Sequence, residues 1–410
     1  MPYDFLFATA PHLKTRWRKP YVQRLTQWFA TEQRDLPWRA THDPYAIWLS
    51  ESMLQQTQVA TVIDYYHRFL SRFPTVETLA LAGEADVLTQ WAGLGYYRRA
   101  RQLHATAKQI VDEHAGKFPS DVPSLMKLPG VGRYTAGAIA SIAFDKPAPI
   151  VEANTERLFA RLIGWTQPLR TKIADQVLWQ FAEFQLPQRD GAGSRNINQA
   201  AMELGSLICK PVRPLCLVCP IAALCITAQD GLQATIPAAK PKKVFTTLHH
   251  VAIVIERNGR WLVRKNPVGA WWTGLWDFPR VDITQHALPP LSAKPSVSAQ
   301  SVVSDRLHQS VAQAAQTQLG LNVSDAKPLF HIAHSVTRYR IRLDCVTAEL
   351  ADSLTLAMGL DMPATARHVP HENATSSVVP SEFRWSSLTE LEQLPLTAPA
   401  RKILQRLSQS

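Results

Sequence analysis

The chain reads LPGVGRYTA from residue 128 to residue 136. Its two glycines, Gly130 and Gly132, let the backbone turn sharply and approach a ligand closely. The flanking patterns predict a short helix over Val122 to Met126 and a longer apolar helix over Arg133 to Phe144. The stretch therefore predicts two helices joined by a glycine turn, a helix-hairpin-helix, and this decides the fold class of the surrounding region.

The second helix of the hairpin directs its first N–H groups outward, where they can donate hydrogen bonds to a phosphate oxygen. An ordinary helix-helix connection is the competing interpretation. Charge favours the phosphate, because 44 Lys and Arg against 33 Asp and Glu leave a net charge of +11 and a pI near 9.5. The candidate nucleic-acid contacts of the turn are Leu128, Gly130, Val131, Gly132 and Arg133.

Helical periodicity extends on both sides of the hairpin and indicates an all-α region that ends near Ala228. Prolines and lysines over Gly231 to Lys243 disfavour packed structure. Beyond them, apolar residues over Thr247 to Glu256 and over Tyr339 to Thr347 predict strands. We therefore expect a multidomain protein with an N-terminal extension, a helical domain, a linker and an α+β domain, over residues 1–20, 21–230, 231–246 and 247–410.

The sequence gives no sign of export or of membrane insertion. No stretch approaches the roughly 20 apolar residues that a spanning helix needs, and Met1 to Pro20 lacks the apolar segment of a signal peptide. We expect a cytoplasmic, nucleoid-associated monomer with reduced cysteines and no membrane partner.

Four of the five cysteines lie within seventeen positions, in the pattern C-x6-C-x2-C-x5-C. Clustered cysteines in such a setting indicate a metal site rather than disulfides. Four thiolates can hold a tetrahedral zinc ion or an iron-sulfur cluster, and spacing alone does not choose between them. The candidate ligands are Cys209, Cys216, Cys219 and Cys225.

The segment from Trp48 to Gln58, WLSESMLQQTQ, closely resembles the W-L-S-E-x-M-L-Q-Q-T-Q pattern of the A/G-specific adenine DNA glycosylases, the MutY family. These belong to the helix-hairpin-helix iron-sulfur DNA glycosylases. The resemblance implies that Glu51 protonates adenine and that Gln55 and Gln56 enter the duplex where the base flips out. It also favours one [4Fe-4S] cluster on the four cysteines. Without the resemblance, Glu51 could be a solvated carboxylate near a helix end.

The second catalytic motif departs from this family. Its V-D-G-N pattern appears here as Val151-Glu152-Ala153-Asn154, so that Glu152 replaces the aspartate that stabilises positive charge on the sugar. Asn154 is retained, and by resemblance it would bond that carboxylate or the sugar. Tyr134 stands where bifunctional relatives carry a lysine nucleophile. Since a phenol cannot form a Schiff base, we expect a monofunctional enzyme. The competing interpretation of Tyr134 is a half-buried tyrosine that only packs on its helix.

The second domain resembles a Nudix fold, because residues 268–279 read VGAWWTGLWDFP and contain its G-L-W-x-F-P stretch. Residues 313–320, QAAQTQLG, lack the carboxylates that would hold magnesium, so pyrophosphate hydrolysis is not expected. In the glycosylase family such a domain senses 8-oxoguanine through an H-x-F-S-H loop. The corresponding residues here are Val336, Thr337 and Arg338, and a plain β-hairpin is the competing interpretation.

Together these features predict an adenine DNA glycosylase that removes adenine paired with 8-oxoguanine or guanine in duplex DNA. Two alternatives stay open. One is a glycosylase for another lesion, such as an oxidised pyrimidine or a mismatched thymine. The other is a noncatalytic iron-sulfur protein that binds DNA.

Overall fold

The computed structural model describes residues 4–14, 17–187, 193–239, 244–285, 297–350 and 382–409. The chain divides into two compact units, Met1–Pro241 and Lys242–Ser410. This division lies inside the stretch for which the sequence predicts a linker. In the described part of the chain, no helix is both long and apolar enough to cross a membrane.

The described part of the first unit is helical. Its α-helices are α1 Asp4–Thr9, α2 Arg18–Glu32, α3 Pro44–Leu54, α4 Val59–Arg72, α5 Val76–Leu81, α6 Glu84–Trp91, α7 Arg98–His114, α8 Val122–Leu125, α9 Arg133–Ala138, α10 Ala153–Ile163, α11 Lys172–Phe184, α12 Ser194–Leu207 and α13 Ile226–Gln229. A π-helical turn over Ile139–Ala143 continues α9. Short 3₁₀ turns occupy Pro11–Lys14, Pro37–Arg39, Cys216–Val218 and Ala222–Leu224.

The beginning of α3 shows how local sequence sets a boundary in this unit. The Asp43 carboxylate accepts a hydrogen bond from the Tyr45 N–H, and Pro44 occupies the first helical turn. Along the rest of α3, every residue from Tyr45 to Met53 is buried. The helix therefore runs through the interior, and its polar side chains are shielded from bulk water.

The predicted N-terminal extension packs into the core of the first unit. Leu6, Leu13 and Trp17 are buried in the same apolar cluster as Phe159 and Phe181. The Trp17 ring stacks face to face on Tyr21 at 4.5 Å between centroids. This segment is thus part of the folded unit rather than an appendage.

The second unit combines strands and helices. Its strands are β1 Thr246–Val254, β2 Glu256–Arg257, β3 Arg260–Lys265, β4 Trp276–Asp277, β5 Arg280–Asp282, β6 Val323–Val336, β7 Tyr339–Leu350 and β8 Phe383–Ser386. Its helices are α14 Val297–Leu319, α15 Leu388–Gln393 and α16 Ala398–Leu407. The sequence predicts one strand over Thr247 to Glu256, but the structure has two strands there. The first, β1, ends at Val254, and the second, β2, pairs with β3.

The main sheet of the second unit has the strand order β5-β1-β7-β6, in which β1 runs parallel to β7 and the other pairs are antiparallel. A second sheet has the order β2-β3-β4, with β8 also on β3. Val251 and Ile253 of β1 pack in the cluster that includes α14, whereas Ala252 and Val254 pack in the cluster that includes α16. The main sheet therefore lies between two helices, and the predicted order of an all-α part followed by an α+β part is confirmed.

Candidate active site

A cavity of about 410 Å³ opens in the first unit, where α3, α9, α10 and α12 meet. Its volume falls in the range of small-molecule sites. The lining includes six residues that the sequence selects from three separate segments: Glu51, Gln55, Gln56, Tyr134, Glu152 and Asn154. The fold therefore brings together residues that lie up to about a hundred positions apart in the sequence.

Glu51 is the carboxylate on the α3 side of the cavity. It is only 4% exposed, and the Tyr134 hydroxyl donates a hydrogen bond of 2.5 Å to its Oε2. Burial raises the pKa of Glu51 to about 7, because the hydrogen bond from Tyr134 offsets only part of the desolvation and the nearby Glu152 adds to it. At neutral pH a large share of Glu51 is therefore protonated and able to donate a proton.

Glu152 is the carboxylate on the α10 side, and it caps that helix. Its two oxygens accept hydrogen bonds from the backbone N–H groups of Asn154, at 2.8 Å, and Thr155, at 2.9 Å. Burial raises the pKa of Glu152, while these N–H groups and the Arg157 guanidinium act against the rise. Such bonds favour the charged carboxylate and therefore limit the rise of its pKa.

The side chain of Asn154 is held in place by the buried Arg157. Its side-chain oxygen accepts a hydrogen bond of 2.9 Å from Arg157, which also donates to the carbonyls of Gly205 and Cys209. Gly205 allows α12 to approach, since a Cβ at this position would lie 2.9 Å from the Cβ of Asn154. The floor of the cavity is thus tied to the cysteine-containing segment.

Three further lining residues form an ion cluster that sequence reasoning missed. Glu203 of α12 is 1% exposed and pairs with Arg34 at 2.6 Å and Arg39 at 2.8 Å. Burial acts to raise the pKa of Glu203, but the hydrogen bonds from the two arginines outweigh it and lower the pKa to about 2. The cluster therefore ties α12 to the segment that follows α2, with its charges paired to one another.

The loop after α3 leaves the cavity for the surface. Gln55 donates a hydrogen bond of 3.3 Å to the Thr135 hydroxyl, and Gln56 is exposed. The backbone of Gln56 has a φ of 63°, in the left-handed region that residues other than glycine seldom adopt. This loop is held in one defined, strained conformation beside the cavity.

The predicted hairpin forms, with α8 and α9 on either side of the glycine turn. Gly130 has a φ of 73°, and a Cβ there would lie 2.7 Å from Gln102, so no larger residue fits. Leu128 and Val131 are buried, which leaves only their backbone for a ligand. Arg133 is exposed, and its guanidinium lies 3.7 Å from the centre of the Trp179 ring.

The four clustered cysteines surround one small pocket, together with Leu158, Leu162 and Ile221. Arg161 donates to the Cys209 sulfur at 3.3 Å. Burial raises the pKa of the Cys219 thiol to about 12, and the charge of the neighbouring thiolates adds to the rise. In the described residues, no three His, Cys, Asp or Glu side chains are grouped closely enough to hold a metal ion.

Comparison with known proteins covers both units. The family "HhH-GPD superfamily base excision DNA repair protein" matches residues 49–183, and the NUDIX domain family matches residues 250–406. The adenine DNA glycosylase of Buchnera aphidicola subsp. Schizaphis graminum is 36% identical over 263 residues, which are 64% of this chain and 75% of that protein. The human adenine DNA glycosylase is 45% identical over 215 residues, which are 50% of this chain and 39% of that protein.

The chain belongs to the adenine DNA glycosylase family. The family resemblance predicted from the W-L-S-E segment is confirmed, and so are the fold class and the assignment as an enzyme. The match to the human relative spans about two fifths of that protein's length. The repair-protein match runs from α3 into α11 and includes Glu51, Tyr134 and Glu152.

The second unit of this glycosylase carries the predicted recognition residues at the tip of a β-hairpin. Val336 ends β6 and pairs with Tyr339 of β7, so Thr337 and Arg338 form a two-residue turn. Thr337 has a φ of 51°. The Arg338 guanidinium donates to the Tyr339 hydroxyl at 3.0 Å. The geometry is that of a tight hairpin, and lesion recognition by these residues stays a prediction.

Proposed function

We propose that this glycosylase hydrolyses the N-glycosidic bond of adenine paired with 8-oxoguanine or guanine in duplex DNA, without lyase activity. The observation that carries the proposal is Glu51, a carboxyl group of pKa about 7 inside a cavity of suitable size for a base. Adenine is a poor leaving group and needs a proton as the bond breaks. A carboxylic acid that stays protonated near neutral pH can supply it.

In this mechanism the two carboxylates have different tasks. Glu51 protonates the flipped base, and the Tyr134 hydroxyl fixes the orientation of its carboxyl group. Glu152, in its charged form, supports the positive charge that develops on the sugar as the base departs. Water then attacks the sugar, and the proton that this water loses passes to solvent or to a carboxylate.

The ion cluster of Glu203, Arg34 and Arg39 stabilises one wall of the cavity. The Glu203 carboxylate is 1% exposed and already accepts hydrogen bonds from both guanidinium groups. The cluster therefore contributes to the shape and rigidity of the cavity, and its charges are satisfied before a base enters.

Hydrolysis without lyase activity is supported by the chemistry of the lining. No lysine lines the part of the cavity that the structure describes, and the two arginines there are not nucleophiles. The Tyr134 hydroxyl is engaged by Glu51. The described lining therefore offers no amine that could form a Schiff base with the sugar, and borohydride trapping should yield no covalent product.

Duplex DNA is the proposed partner, bound through the hairpin backbone, Arg133 and the basic surface. The proposal further includes action as a monomer at the bacterial nucleoid. We assign the sensing of 8-oxoguanine to Val336, Thr337 and Arg338. Arg338→Met should lower the ratio of the excision rates for A:8-oxoguanine and A:G, and an unchanged ratio would overturn this part.

The proposal includes one [4Fe-4S] cluster held by the four clustered cysteines. They surround one pocket that is also lined by apolar side chains such as Leu158, Leu162 and Ile221, and four such thiolates would hold the cluster. The cluster would bind the four cysteines as thiolates. Iron and acid-labile sulfide near four per chain are expected, whereas one zinc and no iron would exclude the cluster.

Single-turnover release of adenine from A:8-oxoguanine and A:G duplexes tests the function. Glu51→Gln should lower the rate by about 10²–10⁴-fold. Glu113→Gln, an exposed position on α7, is the matched control and should leave it unchanged. Release that survives Glu51→Gln, or release of thymine rather than adenine, would overturn the proposal. So would intact DNA binding by the wild-type protein without release of any base.

A further inference from the structure

Arg99, in the first turn of α7, reaches out of its own helix to two other segments. Its Nη1 donates to the carbonyls of Ser52, at 2.8 Å, Met53, at 3.0 Å, and Gln55, at 2.6 Å. These carbonyls belong to the last turn of α3 and to the residue that follows it. A cation at this end of a helix binds the carbonyls that have no partner within the helix and also meets the negative end of the helix dipole.

The other nitrogen of the same guanidinium holds a second loop. Arg99 Nη2 donates to the carbonyls of Leu94 and Gly95 and to the Thr57 hydroxyl, each at 3.3 Å. One side chain therefore joins the loop that follows α3 to the loop that precedes α7. Six oxygen atoms in two segments converge on it.

Arg99 has no acidic partner in the part of the chain that the structure describes, since its hydrogen bonds all end on carbonyl and hydroxyl oxygens. Burial lowers the pKa of Arg99 to about 10, so the side chain is still charged at neutral pH. A half-buried charge without a counter-ion is costly. The carbonyl dipoles offset that cost together with the rings of Trp91 and Tyr96, whose centroids lie 5.3 Å and 5.5 Å from the guanidinium carbon.

Both of the loops that Arg99 joins are strained at the surface. Gln56 and Tyr96 have φ values of 63° and 49°, and both side chains are exposed. Strained backbone persists where surrounding contacts hold it, and it concentrates at functional sites. Without Arg99 nothing described in the structure would bridge the carbonyl groups of these two loops.

We propose that Arg99 is a positioning residue that joins the two loops into one rigid element, which displaces the target base from the duplex. This inference rests on the proposed function. The three hydrogen bonds from Arg99 to carbonyl groups fix the end of α3. Because Glu51 and Gln55 lie on either side of this end, Arg99 also sets the distance between them. Loss of Arg99 should therefore impair base displacement and excision more than it impairs DNA binding.

The test uses the full-length protein in a Glu51→Gln background, with 2-aminopurine in place of the target adenine opposite 8-oxoguanine. The fluorescence of 2-aminopurine rises when the base leaves the stack. Arg98→Met is the matched control, because Arg98 is an exposed arginine on the same helix turn and its loss removes equal charge. At saturating protein, Arg99→Met should lose most of the fluorescence rise, and Arg98→Met should keep it.

In the active background, Arg99→Met should slow single-turnover excision about 100-fold relative to Arg98→Met. Arg99→Lys keeps the charge but reaches fewer oxygens, so it should fall between the two, and it serves as the variant if Arg99→Met fails to fold. Equal fluorescence in the Arg98 and Arg99 variants would overturn the inference. No rise even in the Arg98→Met protein would instead indicate that the proposed function is wrong.

Discussion

The two carboxylates of the cavity are both glutamates, but different groups donate hydrogen bonds to them. Glu51 lies within a helix, where burial is opposed by one hydroxyl donor, and its pKa rises to about 7. Glu152 begins a helix and receives two backbone N–H groups. Burial raises the pKa of both carboxylates, but the backbone N–H groups stabilise the charged form of Glu152. The local backbone therefore favours Glu51 as the acid and Glu152 as the anion.

After the loss of Glu51 itself, the largest effect should come from removing the charge of the anion. Glu152→Gln should lower the single-turnover rate by about 10²–10³-fold, since a neutral amide cannot support the charge on the sugar. Because glutamine is a poorer cap, the free energy of unfolding should also fall by about 1 kcal/mol. Thermal unfolding separates the two effects. A rate within threefold of wild type would mean that Glu152 only caps α10.

The pH dependence of excision tests the acid. Since Glu51 acts in its protonated form, the rate should be highest below pH 7 and fall about tenfold per unit as the pH rises through and above its pKa. Rate measurements from pH 5 to pH 9 would show this limb. The Glu51→Gln protein serves as the control and should lack it. A wild-type rate that rises above pH 7 would assign Glu51 the role of a base.

Shortening the anion should have a smaller effect in the opposite direction. Glu152→Asp should raise the single-turnover rate by about tenfold, because the family's own residue places the carboxylate roughly an ångström closer to the backbone. Aspartate is also a good helix cap, so stability should be unchanged. A slower rate would show that this cavity has adapted to glutamate.

The smallest effect should come from Tyr134→Phe. The Tyr134 hydroxyl stabilises the charged form of Glu51 and holds its pKa down. Removing the hydroxyl should therefore shift the alkaline limb of the rate profile to higher pH and change the maximal rate only a few-fold. Comparison of full pH profiles for the two proteins would detect the shift. A limb that moves to lower pH would contradict the geometry.

Much of the fold could be predicted because its signals are local. Asp43 and Pro44 mark the start of α3, and the strand pattern from Tyr339 predicts β7. The helix expected over Arg133 to Phe144 is different, since α9 ends at Ala138 and a π-helical turn follows. Every residue from Thr135 to Ala143 is buried, so the stretch has no apolar period that could distinguish the two helix types.

The site was predictable only in part. Glu51, Tyr134 and Glu152 were found through family motifs, whereas the ion cluster of Arg34, Arg39 and Glu203 was missed. Glu203 lies 169 positions from Arg34, and each of the three looks like an ordinary surface charge in the sequence. Their pairing depends on how α12 packs against α2 and the turn after it, and no local pattern encodes such packing.

The packing of the N-terminal segment has a consequence for synthesis on the ribosome. The Trp17 indole donates to the carbonyl of Leu224 at 3.1 Å, across 207 positions of sequence. Contacts of such long range form slowly, because the chain between them must first be ordered. The first helices therefore leave the ribosome long before their partners exist, and the core around the cysteines can close only after nearly the whole first unit has been translated.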